Sequence, residues 1–250
     1  MSHSLPHPLT AIDNGVSQRS GSADWLRYFM TNAQQLRPIP WEAAYDLTDA
    51  ERQAIARSIQ TFQLGESSEG THLMKVVRVY AEQIHDPNWV PVVKLFIGEE
   101  QRHARDLARF MKQQGLPLAK HQWSDGWFRR LRRLSNLEMA LMMLFTAELI
   151  ATLYYRALGA ATRSPVLQQL CQQILHDETQ HVYFQIDLLR QIRRSHPRWR
   201  IALTDALYAV FFRLTVVAVW FDHRSVLQSS RYTLAKFYAD AVKTLQVSDF

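Results

Sequence analysis

The sequence predicts an all-α protein: a four-helix bundle with one crossover connection, plus extra N-terminal and C-terminal helices. Three observations predict it. Only 8 Gly and 9 Pro are spread over 250 residues, which leaves long stretches without a turn-forming residue. Apolar residues recur every three or four positions along these stretches, the period of one face of a helix. The stretches also pair across short links, with a longer link between the pairs, and that is the one-crossover arrangement. With 47% hydrophobic residues the chain has material for a substantial core, and wholesale disorder is not expected.

Taken in order, residues 1–21 read as a tail rich in Ser, His and Pro. A short amphipathic helix over 23–36 follows, stopped by Arg37-Pro38-Ile39-Pro40, and residues 22–47 form an N-terminal helix and linker. A long helix opens at Thr48 or Asp49, either of them a good N-cap. Its stripe runs through Ile55, Ile59 and Phe62, then Leu73, Val76, Val77, Tyr80 and Ile84, with Glu66 and Glu69 in the gap. Asp86-Pro87 starts a second helix, with Trp89, Val93, Phe96, Glu100, His103, Leu107 and Phe110 on one face and Gly115 and Pro117 beyond its end. Residues 118–135 read as the crossover, with a short helix of their own. A third helix runs from about Asn136 to Leu158, and Ser164-Pro165 opens a fourth, with Leu167, Cys171, Ile174, Glu178, His181, Gln185 and Leu188 facing inward. The bundle thus spans 48–194, and helices near 198–228 and 230–245 pack on it within 195–250.

Composition narrows the function classes. The single Cys171 excludes an intramolecular disulfide and any thiolate-based zinc or iron–sulfur site, and reads as a small core residue. The stretch from Met1 to Gly21 holds no apolar run, so no secretory signal is expected, and a cytoplasmic protein is the default. The formal charge of +6 and the cluster Arg129-Arg130-Leu131-Arg132-Arg133 come without a recognised nucleic-acid motif, so specific nucleic-acid binding is not expected. The stretch Ile201–Phe221 has membrane-span length but carries Asp205 and Arg213, each costing about 2.5–3.5 kcal/mol at a bilayer centre. A buried helix or one contacting a partner fits better, with a homodimer interface or shallow membrane association as the remaining readings.

Acids and histidines on faces that should be apolar carry the chemistry. Between Met139 and Tyr155 the only charged residue is Glu148. A helix so apolar all round is buried, and an ionised carboxylate there needs a partner or a metal. Glu100-Gln101-Arg102-His103 and Glu178-Thr179-Gln180-His181 each place an acid and an imidazole one turn apart on an inward face. The Glu and His content of the chain gives about 0.4 such pairs by chance. Four occur, with Glu69/His72 and Glu82/His85 the others, and the pair at Glu82 lies off the stripe and reads as surface. The interval from Pro87 to Glu100 is the same as that from Pro165 to Glu178, so the two hairpins bring their acids to the same depth. Four inward carboxylates repel one another and lose hydration. Two divalent cations would neutralise them, and a carboxylate–imidazole set without thiolate suits iron or manganese, with zinc a further fit.

These residues resemble the ferritin-like di-iron carboxylate superfamily, which includes rubrerythrins, bacterioferritins, ribonucleotide reductase small subunits, acyl-carrier desaturases and bacterial multicomponent monooxygenases. One Glu from each of two helices and a Glu-x-x-His from each of the other two is the ligand arrangement of that group. The resemblance implies a centre of two iron ions (or iron and manganese) held by Glu100, His103, Glu148, Glu178 and His181, with Glu100 and Glu178 as bridges. The ligand from the first helix is Glu69 or Glu66. Spacing favours Glu69, since the interval from Glu69 to Glu100 nearly equals that from Glu148 to Glu178, whereas Glu66 gives a longer one. His72 and Asp106 are candidates to orient a ligand, Asp177 and His176 read as helix-surface or supporting residues, and Glu99 reads as solvent-facing. Thr152 resembles the active-site Thr of the monooxygenases but reads first as packing, as do Tyr154 and Tyr155. His223 is a remote candidate for an extra ligand.

The resemblance implies an oxidase or oxygenase that takes dioxygen or peroxide, a small organic substrate and an electron donor. Phe96, Leu144, Phe145 and Ile174 around the site suit an apolar substrate. Iron storage or peroxide detoxification is the alternative, weakened by scarce Glu and the positive charge. A metal-free helical scaffold whose acids pair with Arg or His is the third reading.

Overall fold

The structure, a computed structural model, describes residues 19–67, 70–119 and 136–247, and every regular element among them is helical. In chain order these are α1 (Ser22–Asn32), α2 (Asp49–Glu66), α3 (Thr71–Gln83), α4 (Trp89–Gln113), α5 (Leu137–Ala160), α6 (Pro165–Arg193), α7 (Arg198–Ser229) and α8 (Leu234–Val247). The helix starts follow the capping chemistry read from the sequence. Thr48 forms a reciprocal capping box with Glu51. Asn136 accepts a hydrogen bond from the Met139 amide, and Ser164 caps α6 with Pro165 in its first turn.

Several boundaries differ from expectation: α4 opens at Trp89 with Asn88 before it rather than at Asp86-Pro87, and α8 opens at Leu234 rather than near 230. α1 ends at Asn32, a turn earlier than Leu36. The first bundle helix is two helices, because the chain breaks between Glu66 and Thr71. Gly70 makes the break possible. It holds φ +62°, and a Cβ there would run into the Ile97 side chain on α4, so both the left-handed conformation and the close approach need glycine. The crossover, with Trp123, Trp127 and the basic cluster, falls at 120–135, outside the described residues.

α5 and α6 form the most extensive helix pair, joined by a short link at 161–164. α4 packs against α1, α2, α3 and α6, while α3 also meets α5. α7 lies across α2 and α5, and α8 fills the angle between α7 and α5. One continuous core results, with Trp25, Trp89, Tyr154, Tyr155, Phe96, Phe110, Phe145 and Phe184 among its largest fully buried side chains. α5 could cross a membrane by length and apolarity, yet 78% of its most apolar stretch is buried inside the protein, so it is a core helix. Cys171 is buried in the same core, as expected.

Candidate metal centre

Five of the expected ligands, together with Glu66, converge where α2, α4, α5 and α6 meet. They form two overlapping groups whose donor atoms lie within 4.8 Å of one another: Glu66, Glu100, His103 and Glu178 in one, and Glu100, Glu148, Glu178 and His181 in the other. Glu100 and Glu178 belong to both. The Glu178 carboxylate spans them, with Oε1 3.5 Å from His103 Nδ1 and Oε2 3.4 Å from His181 Nδ1. Glu100 Oε1 lies 3.0 Å from His181 Nδ1 and 3.8 Å from His103 Nδ1. Glu66 Oε2 lies 3.9 Å from His103 Nδ1, and Glu148 Oε2 lies 3.8 Å from His181 Nδ1. Glu69, which the spacing favoured, lies outside the described residues. The interval from Glu66 to Glu100 exceeds that from Glu148 to Glu178 by the length of the segment 67–70, which separates α2 from α3.

The imidazole orientations test whether the donors fit a cation. His103 Nε2 lies 3.1 Å from Asp177 Oδ2, and His181 Nε2 lies 2.9 Å from Glu99 Oε2. An ionised carboxylate only accepts hydrogen bonds, so each Nε2 carries a proton and each Nδ1 faces the inward glutamates. Both Nδ1 atoms, both Glu178 oxygens and Glu100 Oε1 are buried without a hydrogen-bond partner. Imidazole nitrogens and carboxylate oxygens that face one another in a site sealed from water form a donor set that a cation could satisfy. The donors present are two imidazoles and four carboxylates with no thiolate, so this buried Glu/His group could hold metal ions.

The electrostatics agree. Burial raises the pKa of Glu66 well above the carboxylate range, and Glu100 adds to it. Burial does the same to Glu178, with Glu148 and Glu100 adding, and to Glu100 in lesser degree, with Glu148 adding. Glu148 moves down despite its burial, because the neighbouring Glu178 and His181 groups and the hydrogen bond from Gln185 favour its charged form. Burial alone would lower the His181 pKa, but Glu100, Glu148, Glu178 and Glu99 raise it well above the usual value. These shifts follow from crowding four carboxylates and two imidazoles into one buried site.

Several supporting residues differ from the sequence reading. Glu99 is not solvent-facing: it is 4% exposed and holds His181. Asp177, not Asp106, orients His103, and His103, Arg102 and Gln173 keep its carboxyl far below the usual range against the effect of burial. Asn32, at the end of α1, went unnoticed, yet its amide donates to Glu99 Oε1 at 2.7 Å and to Asp177 Oδ1 at 2.9 Å, tying both supports together. Gln185 donates to Glu148 Oε1 at 2.9 Å. The Tyr155 hydroxyl donates to Glu66 Oε1 at 2.6 Å, while Tyr154 meets the Ser58 hydroxyl instead. Thr152 donates to the Leu149 carbonyl, as a packing residue does. His176 and the Glu82/His85 pair are exposed. His72 and His223 belong to neither group, and His223 Nδ1 sits 2.7 Å from Ser58 Oγ. Comparison with models of known families, with curated proteins and with solved structures yields no match, so the geometry of the centre carries its reading.

Proposed function

We propose that the chain is a ferritin-like, di-iron (or iron/manganese) carboxylate protein that activates dioxygen or peroxide to oxidise a small organic substrate. The observation that carries the proposal is the sharing of Glu100 and Glu178 between two donor groups, each completed by one histidine and one further glutamate. Two adjacent sites with two common carboxylates suit a pair of ions better than a single ion. Oxygen and nitrogen donors without thiolate favour iron or manganese. Bound there, the ion pair would supply the electrons that oxygen or peroxide chemistry requires.

The chain's own residues provide the rest. Glu99 and Asp177 fix the two imidazoles in one orientation, with Nδ1 turned inward. Tyr155 holds Glu66 and places a phenolic proton at the edge of its carboxylate. Phe96 packs edge-on against the His181 ring, with centroids 4.7 Å apart, and Phe29 lies tilted 6.1 Å from the same ring, which helps keep water away from the donors. Glu100 has the most accessible side chain of the set, at 18% against 7% or less for the others, so oxidant and substrate approach from its side. Iron storage is the weaker reading, since mineral-nucleating acids are scarce on a chain of net charge +6.

Metal content tests the proposal first. Purified, unchelated protein analysed by plasma mass spectrometry should hold about two iron, or one iron and one manganese, per chain. Glu148→Ala should lose at least one of them. Ferrous-loaded protein should then consume dioxygen faster than the variant. Protein that stays metal-free after anaerobic Fe²⁺ loading overturns the proposal and leaves a helical scaffold.

A further inference from the structure

α7 is long and mostly apolar, yet the other described residues cover only one side of it. Its inner face (Tyr208, Phe212, Val216, Trp220) is buried against α2, α5 and α8. Only 17% of its most apolar 18-residue stretch is buried. On the outer face Leu203, Leu207, Val210, Leu214 and Phe221 are 55–67% exposed, with Val217 half-buried between the last two. A helix apolar all round is normally buried all round. Scattered exposed leucines need no explanation, but a continuous stripe of this size is unusual on a monomer.

From the spacing of this stripe we infer that α7 pairs with α7 of a second copy of the chain, as a two-fold, antiparallel coiled coil. The successive positions alternate between steps of four and three along the chain, the heptad repeat of a helix–helix seam. The pattern of steps reads the same in both directions. An antiparallel copy therefore sets Leu203 opposite Phe221, Leu207 opposite Val217 and Val210 opposite Leu214, which is the self-complementarity a two-fold interface requires. The seam is about 27 Å long at roughly 1.5 Å per residue. With Trp199 and the small residues beside it, the stripe offers on the order of 600 Å² per chain, or about 1,200 Å² for a pair, the lower end of stable interfaces.

Arg213 argues against a lipid surface as the occupant. It lies midway along the exposed side and turns back to donate to the Ala209 carbonyl at 2.9 Å. In a helix pair its guanidinium stays at the wet edge of the seam, whereas penetration into hydrocarbon would bury it. The two copies of Arg213 flank the two-fold axis, so added salt should tighten the dimer by screening their repulsion.

Sedimentation equilibrium of the full chain tests the inference. The expected result is twice the 29.2 kDa chain mass at micromolar concentration, with a dissociation constant that falls as NaCl rises from about 0.05 to about 0.5 M, across the screening range. Leu207→Glu combined with Leu214→Glu should weaken the dimer at least about 100-fold while helicity by circular dichroism stays unchanged, because both side chains are exposed in the single chain. Mixed Val210→Cys and Leu214→Cys chains should cross-link to each other on mild oxidation. A wild-type chain that sediments as a monomer overturns the inference, whether or not it floats with phosphatidylcholine/phosphatidylserine vesicles. A dimer that survives the double glutamate variant overturns it as well, since another surface would then hold it.

Discussion

At the centre, each imidazole is held from behind by a carboxylate of the opposite helix: His103 of α4 by Asp177 of α6, and His181 of α6 by Glu99 of α4. The crossing follows from the repeat itself, because an acid precedes the Glu in both Glu99-Glu100-Gln101-Arg102-His103 and Asp177-Glu178-Thr179-Gln180-His181. The inward Glu and His were legible because a charge on an apolar stripe stands out. Glu99 and Asp177 sit one position off that stripe, where an acid in an isolated helix would be solvated. Their burial comes from Asn32 and the rest of α1, which periodicity along α4 or α6 does not reveal. Asp177→Asn and Glu99→Gln should each lower metal affinity about 10–100-fold without unfolding the chain, measured by competition with a chromophoric chelator. An unchanged affinity in both would mean that these carboxylates only fill space. His223 gives a separate prediction. Burial, with Arg57 adding, lowers its pKa from 6.5 to about 4, so the unfolded chain takes up the proton first. Its contribution to stability is therefore complete above pH 6.5, falls as pH drops towards 4 and is constant below. The total is on the order of 3 kcal/mol, at about 1.36 kcal/mol for each pH unit between the two values. Urea melts of His223→Gln against wild type across that pH range should show the slope diminished in the variant.

Element starts are legible where a capping side chain marks them and less so elsewhere, since α4 opens at Trp89 rather than at Asp86-Pro87. Caps are local chemistry, so Thr48, Asn136 and Ser164 announce α2, α5 and α6. The break between α2 and α3 is harder to see, because the step from Phe62 to Leu73 is close to three helical turns. The apolar stripe therefore resumes in phase and hides the interruption. Gly70 is the residue that betrays it. Gly70→Ala should cost about 1–2 kcal/mol for the left-handed backbone and roughly 1–3 kcal/mol more for forcing a methyl against Ile97. Combining it with Ile97→Ala should relieve the second part only, so thermal melts of the double-mutant cycle should show the two changes to be less than additive. Strict additivity would mean that the Ile97 contact does not shape the break.

For the whole molecule, the helices bring four carboxylates and two imidazoles together, although the equal Pro-to-Glu intervals do not count from equivalent starts, since Pro165 opens α6 and Pro87 lies before α4. The placement of α7 and α8 was not readable, because a helix apolar all round carries no sign of which face meets its own core. The same whole-molecule view fixes what the centre contributes to stability. The native chain concentrates acids that the unfolded chain disperses, and burial with mutual repulsion raises the pKa of Glu66, Glu100 and Glu178. Cations that bind only the folded state offset that strain. At a hundredfold excess over Kd a bound ion stabilises by about 2.7 kcal/mol, or roughly 5–10 °C in Tm for a chain of this size. Chelated protein should melt lower by at least that much and recover on anaerobic Fe²⁺ addition, followed by calorimetry. Glu148→Gln keeps the side-chain shape and the oxygen that Gln185 binds but removes one buried charge. Because the fold favours ionised Glu148, the variant's chelated form should melt somewhat lower than chelated wild type, and Fe²⁺ should raise its Tm far less. Equal Fe²⁺ responses in the two proteins would show that Glu148 is no ligand. No response in either would show that the acids are paired within the protein and that the centre holds no metal.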